Sequence, residues 1–164
     1  MRIAEGPITQ IAWVVDDLDA FERHLGDHFG VAGWTRLEGI HFGPDDCTYL
    51  GKPADFVIDL SLAYVGDLQL EVIRPMRGQS IYTDFLAGSA SGLHHLCFEV
   101  ADITLATRAA DASGLDVCQA GTMADGDLSF AYIDGARWGA PYIEIVQIGP
   151  LMRSFFDSIK EPSR

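Results

Sequence analysis

Two short stretches with the same order of polar and apolar residues stand 68 positions apart in this chain. Residues 59–64 read DLSLAY, and residues 127–132 read DLSFAY. A second apolar stretch that contains one glutamate follows each of them, LEVI at 70–73 and IEIV at 143–146. Short apolar runs of this kind are typical of buried strands. The repetition predicts that the chain contains two copies of one structural unit.

A strand and then a helix are predicted before each repeated stretch. Residues 8–18 align with residues 93–103, and both are apolar, rich in strand-forming residues and contain an aspartate, Asp17 or Asp102, suited to cap a helix. Apolar residues then recur three and four positions apart, with Leu18, Phe21, Leu25 and Phe29 in the first half and Ile103, Ala106, Ala109 and Ala110 in the second. This spacing predicts one amphipathic helix in each half.

Each half, with further extended segments at about 34–42 and 115–120, has the pattern of a βαβββ module. A single module has too few strands to cover its apolar face, so two modules are expected to join. We therefore predict an α+β fold in which two tandem βαβββ modules form one curved, cupped mixed sheet. The predicted single domain spans residues 1–164, with module 1 at about 7–75, a linker at about 76–92, module 2 at about 93–148 and a C-terminal helix at about 150–160.

Two helices are predicted outside the modules. A short helix around residues 81–86 interrupts the linker, whose GSASG run at 88–92 is typical of a connection between structural units. In the C-terminal helix, Leu151, Phe155 and Ile159 stand four positions apart. This spacing predicts the helix face that packs against the rest of the protein.

The composition is that of an ordinary globular protein, with 48% hydrophobic and 21% charged residues in 164 positions. The formal net charge of −13 repels phosphate, so neither nucleic acid nor an anionic membrane surface is an expected partner. No apolar run approaches the roughly 20 residues that span a bilayer, and residues 1–10 lack the layout of a signal peptide, which predicts a cytoplasmic location. Cys47, Cys97 and Cys118 are odd in number and widely spaced, and are expected to be buried, reduced thiols.

Four polar residues interrupt apolar strands at matched positions of the two modules. Gln10 in the first strand corresponds to His95, and Glu71 in the last strand corresponds to Glu144. Matched positions point into one concavity of a duplicated sheet, where a divalent cation would relieve the repulsion of two buried carboxylates. Three oxygen donors and one imidazole suit zinc, manganese, cobalt, nickel or iron(II). The alternative is structural, with Gln10 and Glu71 at the surface and His95 a hydrogen-bonded core residue, while His94 alternates to the opposite face and is expected to pack or to lie at the surface.

The motifs in these strands resemble those of the vicinal oxygen chelate superfamily, which includes glyoxalases, bleomycin-resistance proteins and extradiol dioxygenases. The resemblance covers about residues 7–148 and rests on LEVIRP at 70–75, SIYTDFL at 80–86, GLHHLCFEVADI at 92–103 and YIEIVQ at 142–147. By motif, the sequence is most similar to methylmalonyl-CoA epimerases, whose corresponding strands carry metal ligands. Members of the family commonly form homodimers, and the resemblance implies a homodimer here.

The resemblance also implies that His95, Glu71 and Glu144 are ligands of one divalent metal ion. The epimerases have a histidine at the first-strand position, where this chain has Gln10. The resulting set of Gln, Glu, His and Glu is the one found in zinc-dependent glyoxalase I. That similarity implies a catalytic role for Glu71 or Glu144, which would loosen from the metal and move a proton.

The predicted function is that of a metal-dependent isomerase, epimerase or lyase that acts through a metal-stabilised enolate on a small carbonyl or acyl-CoA substrate. One alternative is a metal-free protein that sequesters a small apolar molecule in the same cleft. A ring-cleaving dioxygenase is less favoured, because the set of two histidines and one carboxylate that holds iron(II) is incomplete without a first-strand histidine.

Five further polar residues are weaker candidates for the site. Asp59 and Asp127, on the repeated stretches, are second choices for a base, although turn or strand-edge roles are favoured. Arg74, Arg77 and Arg137 are the basic residues expected nearest the cavity mouth, where they would hold a thioester substrate, although solvated surface roles are favoured.

Overall fold

One mixed sheet of ten strands runs through the protein, with four helices around it. The computed structural model describes residues 2–160. The strands are β1 (Ile8–Val14), β2 (Thr35–Phe42), β3 (Cys47–Tyr49), β4 (Lys52–Pro53), β5 (Phe56–Val65), β6 (Leu68–Arg77), β7 (Gly92–Glu99), β8 (Val117–Met123), β9 (Leu128–Asp134) and β10 (Tyr142–Ile148). The helices are α1 (Leu18–Phe29), α2 (Ile81–Gly88), α3 (Ile103–Ala112) and α4 (Pro150–Lys160), with a short 3-10 helix at Ala136–Trp138. Within residues 2–160, no helix is long and apolar enough to cross a membrane.

The order of the strands shows the duplication directly. Across the sheet the order is β2-β5-β6-β1-β7-β10-β9-β8-β3-β4. In the first copy β1 pairs in parallel with β6, and in the second copy β7 pairs in parallel with β10. The two copies meet at the centre, where β1 and β7 are antiparallel. The predicted α+β fold, two βαβββ copies in one curved mixed sheet, is confirmed.

The helices of the two copies begin in the same way. The Asp17 carboxylate accepts a hydrogen bond of 2.9 Å from the Ala20 amide at the start of α1. The Asp102 carboxylate accepts an equivalent bond of 2.9 Å from the Leu105 amide at the start of α3. Each aspartate thus satisfies one of the amide groups that a helix N-terminus leaves unpaired.

A hairpin that the sequence analysis did not predict joins the two copies at the far edge of the sheet. Strands β3 and β4 follow β2 in the chain, yet β3 pairs with β8 of the second copy. The chain between Phe42 and Cys47 therefore leads from one edge of the sheet to the other, which requires the sheet to curl into a cup. At the junction, Gly121 leaves no room for a side chain, because a Cβ atom there would lie 2.8 Å from the Asp46 carbonyl oxygen.

The helix faces that pack differ in part from the predicted ones. Phe29 at the end of α1 is 78% exposed, and Leu151 in α4 is 70% exposed. Helix α4 instead packs Met152, Phe156 and Ile159 against the main hydrophobic core. Stripes that contain Leu151 or Met152 fit the same three-and-four spacing and differ by about 100° around the helix axis. Packing over the concave face of the sheet selects the second stripe.

Candidate metal centre and cavity

The four matched polar residues lie on the four central strands of the sheet. Glu71 on β6 and His95 on β7 are both paired with the same residue of β1. Gln10 on β1 and Glu144 on β10 are both paired with Cys97 of β7. Side chains two positions apart on a strand share a face, so this register places all four on the concave side. The structure thus brings together the four residues that the sequence predicts as a group.

A β-bulge precedes each of the two first-strand residues. In the pairing of β1 with β7, Thr9 is an extra residue before Gln10, and His94 is an extra residue before His95. A bulge bends the strand and redirects the side chains next to it. Both copies of the repeat therefore use a bulge to turn the side chain at this position, Gln10 or His95, toward the concave face.

Three oxygen atoms surround one nitrogen of the buried His95 ring. The Nε2 atom lies 3.2 Å from Gln10 Oε1, 3.4 Å from Glu71 Oε2 and 3.2 Å from Glu144 Oε2. The imidazole is fully buried, and the side chains of Glu71 and Glu144 are only 12% and 10% exposed. A single N–H group cannot form good hydrogen bonds with three acceptors at once. The three oxygens therefore compete for one nitrogen of His95.

The donor set fits one divalent metal ion. Among residues 2–160, no three His, Cys, Asp or Glu side chains already stand around a common position suited to an ion. In the quartet, the oxygen atoms of the other three residues instead lie around the His95 ring. One of these oxygens belongs to the amide of Gln10, a residue type outside the four named above. Ligands about 2.0–2.2 Å from a shared tetrahedral ion are about 3.3–3.6 Å apart, close to the nitrogen–oxygen separations of 3.2–3.4 Å seen here. One imidazole and three oxygens also suit a divalent ion of the zinc group.

The charges within the cluster hold a proton on His95 when no cation is present. Burial alone would lower the pKa of His95, but the neighbouring Glu144 and Glu71 carboxylates outweigh it and raise the pKa to about 9. Burial raises the pKa of Glu71, and the contact with His95 opposes this shift. At neutral pH the His95 imidazole is thus positively charged. In this position its charge relieves the repulsion between the Glu71 and Glu144 carboxylates.

His94 forms a contact with His95 that the sequence analysis missed. Its Nδ1 atom lies 2.9 Å from Nδ1 of His95, and its ring is fully buried against Tyr82, Phe85 and Tyr142. Burial lowers the pKa of His94 well below its usual value, so the ring is neutral and its Nδ1 accepts a hydrogen bond from the Nδ1–H group of His95. His94 packs, as predicted. Strict alternation of side chains along β7 would place His94 and His95 on opposite faces and so does not predict this hydrogen bond. The bulge brings the two rings into contact.

A chain of amide and hydroxyl groups sets the orientation of Gln10. The Gln10 amide donates a hydrogen bond of 2.6 Å to Gln69 Oε1, and Gln69 donates one of 2.7 Å to the Tyr64 hydroxyl. Because the Gln10 nitrogen is engaged in this way, its oxygen faces His95. Gln69 is 6% exposed and lies two positions before Glu71 on β6. Groups that orient ligands in this manner tune the affinity of metal sites.

We expect Gln69→Leu to lower the affinity for Co²⁺ or Zn²⁺ by about 10- to 100-fold, because the Gln10 amide loses the partner that fixes its oxygen toward the site. Titration calorimetry with each ion measures the change. Gln69→Glu, which keeps an acceptor for the Gln10 amide, is the matched control and should retain most of the affinity. Equal affinities of Gln69→Leu and the unmodified protein would show that Gln69 does not orient Gln10.

A cavity of about 190 Å³ opens above the quartet on the concave face of the sheet. Gln10, Glu71 and Glu144 lie at its polar end. Its walls are mostly aliphatic and aromatic, and include Leu60, Leu62, Phe130, Val146, Met152 and Phe156. A concave apolar space with a few convergent polar groups is the usual form of a small-molecule site.

Helix α4 lies across this cavity. Met152 and Phe156 form part of the cavity wall, and the Met152 amide donates a hydrogen bond of 2.7 Å to the Asp127 carboxylate. Arg153 forms an ion pair with Glu99 on β7, and Lys160 contacts Asp67 at 2.5 Å. These contacts tie the helix to both copies of the repeat, because Asp67 precedes β6 and Glu99 ends β7.

The weaker candidates from the sequence have structural partners. Asp59 accepts a hydrogen bond of 2.7 Å from the Gly39 amide and lies 3.5 Å from Arg74, and Asp127 binds the start of α4. Arg77 contacts Asp55 at 3.1 Å. Within the described residues, none of Asp59, Asp127, Arg74, Arg77 and Arg137 lines the cavity. The basic residues at the rim are Arg153 and Lys160 instead, because α4 covers the mouth.

A pair of tyrosines completes the polar end of the cavity. The Tyr82 hydroxyl donates a hydrogen bond of 2.9 Å to the Tyr132 hydroxyl, and the edge of the Tyr132 ring meets the His95 ring at a centroid distance of 5.0 Å. Burial raises the pKa of both tyrosines well above the usual value, so both hydroxyls remain protonated. Cys97 is buried, as predicted, and burial likewise raises the pKa of its thiol. The pattern of polar and apolar residues in the sequence does not distinguish these two tyrosines and this cysteine from ordinary core residues.

Several proteins of known structure have a similar fold. The chain is similar to methylmalonyl-CoA epimerase from Mycobacterium tuberculosis, with 20% sequence identity, a TM-score of 0.63, and coverage of 94% of this chain and 95% of that one. It is similar to a variant of the Streptomyces coelicolor epimerase in complex with 2-nitronate-propionyl-CoA, with 17% identity, a TM-score of 0.64, and coverage of 87% and 97%. A methylmalonyl-CoA epimerase in complex with methylmalonyl-CoA and NH4+ has 16% identity, a TM-score of 0.63, and coverage of 94% and 97%. No functionally curated protein matches the sequence.

The sequence profile of one superfamily matches residues 9–132, which include the first strand with Gln10 and the second repeated stretch. This match covers most of the chain and agrees with the architecture of paired βαβββ copies and with the motifs in the central strands. The chain therefore belongs to the glyoxalase/bleomycin resistance protein/dioxygenase superfamily.

Proposed function

We propose that the protein is a metal-dependent isomerase, epimerase or lyase that moves a proton next to the carbonyl group of a small substrate. The observation that carries this proposal is the convergence of three oxygens on one buried imidazole nitrogen at 3.2–3.4 Å. Gln10, Glu71, His95 and Glu144 would hold one divalent ion, whether zinc, cobalt, nickel, manganese or iron. Such an ion would take the place of the His95 proton and would neutralise both carboxylates.

When bound, the ion would act as a Lewis acid that polarises a carbonyl oxygen and stabilises the negative charge left when the neighbouring C–H bond loses its proton. The chain supplies the remaining parts of the reaction. The buried hydroxyls of Tyr82 and Tyr132 remain protonated, and the Tyr82 hydroxyl donates a hydrogen bond to the Tyr132 hydroxyl. The apolar walls and α4 exclude water, which strengthens electrostatic interactions in the cavity.

Glu71 and Glu144 are the groups that would carry the proton. They enter from different copies of the repeat, on β6 and β10, with β1 and β7 between them. A carboxylate held beside the reacting carbon is a common general base for a proton of this kind. Carboxylates on two sides of a bound substrate suit a reaction in which one side removes a proton and the other side returns it.

A metal-free binding protein is the second candidate function. The largely apolar walls of the cavity favour it, because such walls hold a small apolar molecule without any chemistry. Metal content separates the two functions. About one divalent ion per chain in protein purified without chelator supports the enzyme, and a metal-free protein that ignores added zinc, cobalt and manganese supports the binding protein.

The test of the chemistry is proton exchange in D₂O. We expect the metal-loaded protein to exchange the proton next to the carbonyl group of one or more members of a panel that includes hydroxyacetone, 2-hydroxyacetophenone and methylmalonyl-CoA. Glu144→Gln should lower the exchange rate by about 10²- to 10⁴-fold while the metal stays bound, since an amide oxygen already serves as a donor at Gln10 but cannot accept the proton. NMR follows the exchange, and elemental analysis follows the metal.

Glu99→Gln is the control for this variant, because Glu99 lies at the cavity rim and pairs with Arg153 on α4. It should keep both metal and exchange. Exchange by Glu144→Gln at the rate of the unmodified protein would rule out Glu144 as the group that moves the proton.

A further inference from the structure

We infer that the substrate of this site is a small molecule with an uncharged, apolar body, and that the cavity formed by the described residues does not bind the nucleotide part of an acyl-CoA. This inference rests on the proposed function and specifies its substrate class. It follows from three features of the cavity: its size, its walls and the charges at its rim.

The size of the cavity limits the ligand. Its volume is about 190 Å³. Sites for drug-sized molecules are typically about 300–1,000 Å³, so this cavity is smaller than the usual range. A substrate with a short chain or a single ring fits within that volume. The pantetheine arm and nucleotide of a CoA thioester would have to leave through the mouth that α4 covers.

The walls of the cavity favour a substrate with a hydrocarbon body. Apart from the polar end near Glu71 and Glu144, the interior is lined by side chains such as Leu60, Leu62 and Phe130. With one divalent ion bound, the two carboxylates of the site are neutralised, so no net charge remains to attract a charged group of the substrate. An apolar substrate body gains about 25 cal/mol for each Å² that it buries in such a space.

The rim repels phosphate. Within residues 2–160, Arg153 and Lys160 are the basic residues that line the cavity, and they pair with Glu99 and Asp67. Asp157 adds a third carboxylate to the same rim. The rim thus carries more acidic than basic groups, in a chain whose formal net charge is −13. Recognition of phosphate needs cationic side chains or helix N-termini free to meet it.

Two hydroxamates with the same chelating group and bodies of different size test this inference on Co²⁺-loaded protein. Benzohydroxamate and acetohydroxamate both bind through two adjacent oxygens, and only the first has an apolar ring. We expect benzohydroxamate to bind at least about tenfold more tightly, since the ring buries apolar surface against the walls. Propionyl-CoA at millimolar concentration should neither displace it nor change the cobalt absorption spectrum. Calorimetry and the cobalt spectrum give the affinities without any assay of activity.

Neighbouring phenylalanines of α4 provide a matched pair of variants. Phe156 lines the cavity, whereas Phe155 packs on the core outside it. Phe156→Ala should reduce the preference for benzohydroxamate, and Phe155→Ala should leave it unchanged. Equal affinity for the two hydroxamates, or displacement by propionyl-CoA, would overturn the inference while leaving the metal site intact. Failure of Co²⁺ to bind at all would instead overturn the proposed function and this inference with it.

Discussion

Replacement of His95 by glutamine is expected to abolish the binding of divalent metal ions, from about one ion per chain to none. Three oxygens surround His95 Nε2, and a glutamine at this position could offer only an amide oxygen, which ions of the zinc group bind more weakly than an imidazole. Loss of a group that merely orients a ligand costs about 10- to 100-fold in affinity, so loss of the ligand itself should exceed that range. Elemental analysis and calorimetry with Zn²⁺ or Co²⁺ measure the effect.

Glutamine is chosen for this variant because its amide keeps a hydrogen-bond donor beside the buried carboxylates, which would otherwise lose their cationic partner. His41→Gln is the matched control. His41 lies on β2 with a side chain that is 53% exposed, and it pairs with Asp55, away from the cavity. It should bind metal like the unmodified protein. A folded His95→Gln variant, verified by circular dichroism, that still holds one ion per chain would refute the proposed ligand set.

The affinity for metal should rise steeply with pH, by about tenfold for each unit below pH 9. Metal binding requires the neutral imidazole, and the Glu144 and Glu71 carboxylates raise the pKa of His95 in the metal-free protein to about 9. At neutral pH each ion must therefore displace a proton, and between pH 6 and pH 8 the apparent affinity is expected to increase by about 100-fold. Calorimetry in buffers of different ionisation enthalpy counts the released protons.

The same proton makes an opposite contribution to folding in the metal-free protein. A histidine whose pKa is raised above its unfolded value of 6.5 stabilises the fold fully below that pH, and this contribution is lost as the pH rises through about 9. The melting temperature of metal-free protein should therefore fall over this window, while that of metal-loaded protein should not. An affinity for metal that is constant between pH 6 and pH 8 would show that His95 is neutral before the ion arrives.

Local pattern was enough to predict the repeated unit and the group of polar residues within it. The matched stretches around Asp59 and Asp127 predicted two copies of one module, and the equivalent positions of Gln10 and His95 predicted that their side chains meet. Both predictions depend on the period of two along a strand and on the repetition of that period, which a sequence displays directly. The assignment of these four residues to a metal ion stays a prediction that the experiments above address.

The alternation of polar and apolar residues did not predict the bulges at Thr9 and His94. Each bulge is one extra residue relative to a partner strand that is distant in the sequence. Alternation counted along β7 places His94 and His95 on opposite faces, whereas the bulge puts their rings in contact. The role of Gln69 was hidden for a related reason. In the sequence, Gln69 is one more polar residue of a predicted strand. Its contact with the Gln10 amide becomes evident only when β6 pairs with β1 in the folded protein.

The sequence by itself determined the duplicated βαβββ architecture and the membership of the polar quartet, because strand periodicity, helix caps and repetition are local properties of the chain. Only the tertiary structure decided the partner of the hairpin β3–β4 and the placement of α4 over the cavity with Met152 rather than Leu151 inward. These features depend on contacts between residues that are distant along the chain. Their energies come from the surfaces that meet after folding, and no local pattern records which surfaces those are.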